Sequence, residues 1–230
     1  WEVLQDIIIP ESAAERSCYM DTMLGTAKQA DTLLCHWWGT SFREVVLCCA
    51  QSASGILSRP DLERKAFTPG SAGFAPTVND RTFWICMFAA NHHLDHAPGH
   101  PLCQHDKFDK VVGRMKTVAV ALDPELVTLS RAWCLGEMGE ALQVGKVVQF
   151  FGNLTEDLKN TIVKDAAPVQ VPSVEDAQAH DASDKTRILE HIAATSGLGE
   201  FDKAIDDAVQ QGVRGLILRR AMRENDTETA

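Results

Sequence analysis

The sequence lacks any apolar run near the roughly 20 residues that a transmembrane helix needs. Its longest apolar stretches, such as 45–50, have the length of elements in the core of a water-soluble domain. Positive charge is scarce as well, with 22 Lys and Arg against 32 Asp and Glu and a net charge of −10. Because this charge opposes attraction to phosphate backbones and anionic surfaces, we expect no nucleic-acid partner. The lack of a long apolar run predicts that the chain does not insert into a membrane.

Complete pairing of the cysteines is excluded, because the chain has seven of them. Most lie inside apolar stretches, where a free thiol behaves as a small buried hydrophobe. These are Cys35, Cys48, Cys49, Cys86 and Cys134. We therefore expect free thiols and a reducing compartment such as the cytoplasm. With 45% hydrophobic residues in 230, the chain can bury a sizeable core, which excludes the disordered and fibrous classes.

Short apolar runs alternate with helical stripes along the middle of the chain. The stripes have the i, i+3, i+4, i+7 spacing of a helix with one buried face, as at Phe42, Val45, Val46 and Cys49. Alternation of this kind predicts an α/β fold with a parallel sheet of flavodoxin-like order 2-1-3-4-5. The five predicted strands are Thr32–Cys35, Thr82–Ala89, Thr117–Leu122, Val147–Phe151 and Val169–Val171.

Three segments follow from the same pattern. Residues 1–30 are expected to wrap the core, with Ile7 to Ile9 as a candidate extra strand, and residues 31–172 form the α/β core. Within the core, 52–80 is rich in Gly, Pro and Ser and predicts a long surface loop or insertion. Residues 173–230 carry two amphipathic helical stripes, which predict a C-terminal helical extension packed against the outside of the core.

The loops at the carboxyl ends of the strands are the first place to look for a ligand site in an open parallel sheet. The loop after the first strand reads His36-Trp37-Trp38-Gly39, where an ordinary turn would have small polar residues. The two indoles are suited to stacking on a base or a nicotinamide ring. In the alternative interpretation, they plug the domain against the C-terminal helices.

The loop after the second strand is rich in histidine. Its candidate ligands are His92, His93, His96, His100, Cys103 and His105. Imidazole and thiolate bind zinc, but the segment lacks the tight, fixed spacing of common zinc sites and contains Pro98-Gly99. We expect no metal here. A solvated polar loop and substrate contact by Asn91 or His92 are the other interpretations.

The entry of the helix after the third strand is the most informative segment. Residues 130–138 read Ser-Arg-Ala-Trp-Cys-Leu-Gly-Glu-Met. This resembles the Ser-x-x-Trp-Cys-Leu-x-Glu-Leu element of plant-type TIR domains, with Met138 in place of the last Leu. Residues 35–39, Cys-His-Trp-Trp-Gly, are similar to a loop of TIR-like proteins from algae and other protists. The resemblance covers about 31–171 for the TIR core and about 1–215 for the algal group.

The resemblance implies a flavodoxin-like fold and, in the members that cleave NAD, a catalytic Glu that corresponds to Glu137. A carboxylate suits this reaction, because nicotinamide leaves as a neutral group and the ribose becomes oxocarbenium-like. Trp133 lies four residues earlier, on the same helix face. With NAD as the substrate, the expected ligand contacts are His36, Trp37, Trp38, Gly39, Asn91 and Trp133. The aromatic loop replaces the small polar residues of active TIR domains, so it could instead fill the nicotinamide pocket.

Three classes of function remain open from the sequence. The first is a TIR-like protein that binds and hydrolyses NAD through Glu137. The second is a non-catalytic TIR-like scaffold that assembles as a homo-oligomer or within a larger protein complex. The third is a zinc hydrolase that uses the loop 92–105. An open cleft beside Glu137 separates the first two, because catalysis requires room for a dinucleotide and a scaffold does not.

Overall fold

A computed structural model describes residues 2–25, 29–68, 73–74, 78, 80–93 and 108–228. Its centre is an all-parallel sheet in the order β2-β1-β3-β4. The strands are β1 (Thr32–His36), β2 (Phe83–Trp84), β3 (Thr117–Leu122) and β4 (Val147–Gly152). The prediction of an α/β parallel sheet with the first strand in its interior is therefore confirmed for four strands.

Helices connect and surround the strands. The N-terminal segment has a π-helical turn at Leu4–Ile8, then α1 (Ile9–Ser12) and α2 (Tyr19–Leu24). The core contains α3 (Phe42–Ser54), α4 (Arg59–Phe67), α5 (Cys86–Ala89), α6 (Phe108–Arg114), α7 (Ala132–Gln143) and α8 (Glu156–Val163). The C-terminal extension consists of α9 (Ala182–Thr195) and α10 (Leu198–Glu228). No helix in the described part of the chain is both long and apolar enough to span a bilayer.

Two segments predicted as strands are partly or wholly helical. The run 82–89 pairs with β1 over only two residues and then turns into α5, whose Met87 is buried against the N-terminal segment. Ile7 to Ile9 are helical as well, with Ile8 buried in the same cluster. A short apolar run has no period that separates a buried strand from a buried helix, so tertiary packing decided both cases.

The predicted fifth strand, 169–171, does not form. Its backbone is bound by a side chain of α10: Val169 N donates to Gln210 Oε1 at 2.9 Å, and Gln210 Nε2 donates to Val169 O at 2.8 Å. The amide of Gln210 thus takes the place of a neighbouring strand. The prediction of five strands is wrong for this segment.

The segment 52–80 is also more ordered than predicted, because α4 lies within it. Ser58 caps this helix by accepting from Asp61 N, and Pro60 occupies its first turn. Leu62 is buried against Leu47 of α3. The predicted loop is therefore partly a helix that packs against α3.

The two faces of the sheet are covered by different helices. On one face, α3 packs Val45 and Cys48 against Leu34 of β1. On the other face, α7, α9 and α10 share one hydrophobic cluster with Leu33 and Cys35. Successive residues of a strand point to opposite faces, so β1 contributes to both layers. The C-terminal helices are therefore continuous with the core that carries Glu137.

The docking of α10 on α7 depends on a residue without a side chain. A Cβ at Gly139 would lie 1.9 Å from Cε2 of the Phe201 ring, which is far inside van der Waals contact. We expect Gly139→Ala to lower the free energy of unfolding by about 1–3 kcal/mol, as overpacking of a rigid interface does. Urea unfolding of the two proteins measures the change.

Gly199→Ala is the matched control, because nothing lies within 4 Å of a Cβ at that position of α10. We expect it to leave the stability unchanged or raise it by up to about 1 kcal/mol, the helix preference of Ala over Gly. Equal stability of Gly139→Ala and Gly199→Ala would contradict the packing of Phe201 described here.

Candidate functional site

The loop after β1 brings two indoles to the carboxyl end of the sheet. A tight turn forms where Thr40 N donates to Trp37 O at 2.9 Å, and Ser41 then caps α3 by accepting from Glu44 N. The Trp37 ring lies directly over Gly39, where a Cβ would be 2.3 Å from it. Glycine is therefore required for this position of the ring.

Trp38 packs against the N-terminal segment. It packs in a cluster with Leu4, Ile8 and Met87, and its Nε1 donates to Sγ of Cys86 at 2.9 Å. Its ring also meets His92 edge-on, with the centroids 5.8 Å apart. These contacts place Trp38 against the N-terminal segment, whereas the alternative interpretation placed the tryptophans against the C-terminal helices.

The loop after β3 sets the position of α7. The buried Asp123 carboxylate accepts four hydrogen bonds at 2.8–3.1 Å, from the backbone N–H groups of Glu125, Val127 and Thr128 and from the Thr128 hydroxyl. This network orders the chain just before α7 begins. Glu137 therefore projects from a helix whose start is held by hydrogen bonds at the end of β3.

Glu137 is half-buried among thiols and apolar side chains. Burial raises the pKa of its carboxyl from 4.5 to about 7. A contact with the Cys35 thiol lowers this pKa, but by less than burial raises it. The same thiol lies 3.6 Å from the carbonyl oxygen of Cys134. The carboxyl is thus poised to exchange a proton near neutral pH, which is a property of functional sites.

A cavity of about 610 Å³ opens beside this carboxyl. Its volume lies in the range of small-molecule and cofactor sites. Apolar and aromatic side chains form one side of it: Leu33, Trp84, Phe108 and Val111. The N-terminal segment contributes Leu4, Gln5 and Ile9, so residues far apart in the chain meet around Glu137.

Most of the predicted site residues border this cavity. They are His36, Trp37, Trp38, Gly39, Trp133 and Glu137. Asn91 is not among its lining residues: its Nδ2 donates to Arg16 O at 2.7 Å, and its Oδ1 accepts from His93 N at 2.9 Å. In this structure Asn91 therefore ties the second loop to the N-terminal segment.

His36 differs from the other members of this set. It is the last residue of β1, and its side chain is buried. The Nδ1–H donates to Leu34 O at 3.4 Å, and burial lowers the pKa of the imidazole to about 4. His36 is therefore a neutral, buried side chain at neutral pH.

The C-terminal extension supplies a polar wall that the sequence did not indicate. Gln178 N donates to Ser130 O at 2.8 Å, and Ala132 N donates to Gln178 O at 2.9 Å, which fastens the extension to the start of α7. Beyond this contact the wall consists of Gln178, His180, Asp181, Ser183, Asp184 and Arg187. These residues lie more than 40 positions after Glu137, and no local pattern links them to it.

Two histidines of the predicted histidine-rich loop lie in the described part of the chain. His92 Nε2 is 3.1 Å from Met87 O, and His93 Nε2 is 2.8 Å from the Ser12 hydroxyl. His92 also borders the cavity. The other candidate ligands of that loop lie outside the described residues. Within the described ranges, no three His, Cys, Asp or Glu side chains are placed to hold a metal ion.

No family model, curated protein or solved structure matches this chain.

The residues of the site themselves indicate its chemistry. A carboxyl with a pKa near 7 can act as an anion or as a proton donor close to neutral pH. The neighbouring Cys86 is a poor nucleophile, because burial raises the pKa of its thiol far above the neutral range. Glu137 is thus the group at this cavity best suited to charge stabilisation or proton transfer.

Proposed function

We propose that this chain is a TIR-like NAD glycohydrolase in which Glu137 is the catalytic residue. The observation that carries the proposal is the open cavity beside the Glu137 carboxyl. A cavity of about 610 Å³ has the room that a small-molecule site requires. The motif resemblance at residues 130–138 and the parallel sheet with β1 in its interior support the same function.

In the proposed reaction, the bond between ribose C1′ and the nicotinamide nitrogen breaks, and its electron pair stays on the nitrogen. The positively charged ring thereby becomes neutral nicotinamide, and the ribose becomes oxocarbenium-like. The ionised Glu137 stabilises this developing positive charge by electrostatic attraction. Water then adds to C1′ and loses a proton, which yields ADP-ribose.

The aromatic residues have a distinct role in this proposal. Trp37 and Trp133 border the cavity on the two elements nearest Glu137, the loop after β1 and α7. Their indole rings offer flat apolar surface for the nicotinamide or adenine ring. Gly39 allows the Trp37 ring to lie flat over the loop. The alternative scaffold function gives no reason for an open cavity beside a carboxyl with a raised pKa.

The first test is nicotinamide release from NAD by the purified protein at high protein concentration. Because the ionised carboxylate is the active form, the rate at saturating NAD should rise with pH and level off above the pKa of about 7. A single group with that pKa makes the rate at pH 5.5 about 30-fold lower than at pH 8. Chromatographic quantification of nicotinamide over this pH range measures the profile.

The outcome decides between the two functions. Absence of nicotinamide release at every pH and at high protein concentration would reject the glycohydrolase and favour the scaffold. A rate that falls as the pH rises through 7 would show that the protonated group is the active one, and would reject the role assigned to Glu137.

A further inference from the structure

The C-terminal extension holds one of the indoles that border the cavity. Trp133 Nε1 donates to Asp184 Oδ2 at 3.0 Å, and Asp184 Oδ1 is paired with Arg187 one helical turn later. Phe108 meets the Trp133 ring edge-on at 5.7 Å between centroids. All four of these side chains line the same cavity as Glu137.

We propose that Asp184 is a positioning residue of the NAD site, which acts through the Trp133 indole. This inference rests on the proposed function. Trp133 and Glu137 are four residues apart on α7 and share one helix face. An indole fixed by Asp184 gives the ligand a rigid wall next to the carboxyl. The C-terminal extension is then a structural part of the site.

The arrangement is suited to holding a side chain in one orientation. The Asp184 carboxylate lies in the first turn of α9, where the helix dipole favours a negative charge. Its two oxygens are used in different directions, one toward the indole N–H and one toward the Arg187 guanidinium. A hydrogen bond to a charged acceptor is stronger than one between neutral groups, so the indole orientation is well defined.

The same two helices provide a matched control. His191 of α9 and Glu140 of α7 are 3.1 Å apart between Nε2 and Oε2, and neither residue lines the cavity. Removing this contact loosens the packing of α9 on α7 as removal of the Trp133–Asp184 contact does. The variant that removes it is Glu140→Ala, because the His191 ring also meets Phe108, a lining residue of the cavity, with the centroids 5.1 Å apart. A general effect of helix packing would therefore appear equally in both variants.

The test compares Asp184→Ala, Asp184→Asn and Glu140→Ala by the KM and kcat of NAD cleavage and by the quenching of tryptophan fluorescence on NAD binding. We expect Asp184→Ala to raise the KM about 10-fold, the loss of one such hydrogen bond, with a smaller change in kcat. Asp184→Asn retains an acceptor oxygen and should restore part of the affinity. Glu140→Ala should keep the parent KM, because Glu140 does not line the cavity.

A double-mutant cycle tests the route of the effect. Trp133→Phe removes the indole N–H, so Asp184→Ala should change the KM less than 2-fold in that background. A full 10-fold effect there, or a KM of Asp184→Ala equal to that of Glu140→Ala, would overturn the inference. Failure of the proposed function itself is distinguished by the parent protein, which would then release no nicotinamide.

Discussion

Replacement of Glu137 by Gln should slow nicotinamide release at pH 8 by a hundredfold or more. The substitution removes the negative charge while nearly preserving the side-chain volume. Electrostatic stabilisation of a developing charge in a site of this kind is typically worth about 3–4 kcal/mol, which corresponds to that loss in rate. Binding of NAD should persist, because the aromatic walls around the cavity remain. Nicotinamide release and fluorescence titration measure the two effects separately.

Glu140→Gln is the matched control for this experiment. It makes the same chemical change one turn later on α7, at a carboxylate that pairs with His191 outside the cavity. We expect it to retain activity within about twofold, because neither Glu140 nor its partner His191 lines the cavity. Equal activity of Glu137→Gln and the parent would show that the carboxylate has no part in the chemistry.

The second large effect is on stability, and its sign depends on pH. In the folded protein the pKa of Glu137 is raised from 4.5 to about 7 by burial. Between these values the folded state holds a proton that the unfolded state has lost, so stability falls as the pH rises through this window. Two and a half pKa units amount to about 3 kcal/mol. Glu137→Gln should therefore match the parent near pH 4.5 and be about 3 kcal/mol more stable above pH 7.

His36 makes the stability depend on pH in the opposite direction. Burial lowers the pKa of its imidazole from 6.5 to about 4. As the pH falls from 6.5 to 4, the unfolded state binds a proton and the folded state does not, so the stability falls. In the parent, the effects of Glu137 and His36 on stability therefore partly cancel between pH 4.5 and 6.5. Glu137→Gln lacks the titrating carboxyl, so the effect of His36 remains alone. The stability of this variant should therefore rise with pH over that interval.

Urea unfolding at half-unit pH steps from 4.5 to 8.5 measures both slopes. His36→Asn is the complementary variant, because its amide can replace Nδ1 as donor to Leu34 O and does not titrate. In that protein only the decrease from pH 4.5 to 7 should remain. If the stability difference between Glu137→Gln and the parent is the same at pH 5 and pH 8, the carboxyl does not have the raised pKa described here.

The two predictions on Glu137 share one physical cause. Its position among apolar side chains and thiols makes the charged form costly, and that cost appears as a raised pKa and as lost stability at high pH. The same environment strengthens the interaction of the carboxylate with a positive charge on a ligand. We therefore expect the inactive Glu137→Gln protein to be the more stable one at pH 8.

Local sequence patterns predicted those parts of the fold that depend on local physics. β3 was predicted with the bounds that the structure has, because Thr117–Leu122 is a buried run between clear helical stripes. The aromatic loop and Glu137 were placed at one end of the sheet, because parallel strands direct their carboxyl ends to one edge. Asn91 was predicted at the same edge, but it is bound to Arg16 O instead.

The failures of prediction share a reason as well. The run 82–89 and Ile7 to Ile9 are apolar throughout, and their state depends on which surfaces they meet. Val169 lies in a segment with a strand pattern, yet the Gln210 side chain, 41 residues later, satisfies its backbone. The local sequence of the segment does not indicate that its backbone binds a side chain so far along the chain.

By itself, the sequence determined the class of fold, the order of four strands and the carboxyl on which the proposed chemistry rests, since periodicity and the residues at strand ends are local properties. Only the tertiary structure decided that a cavity opens beside Glu137 and that Asp184 holds the Trp133 indole at its wall. The burial of Glu137, and with it the pKa near 7, also arises there. The reason is physical: cavities and desolvation are made by residues that are distant in the chain and close in space.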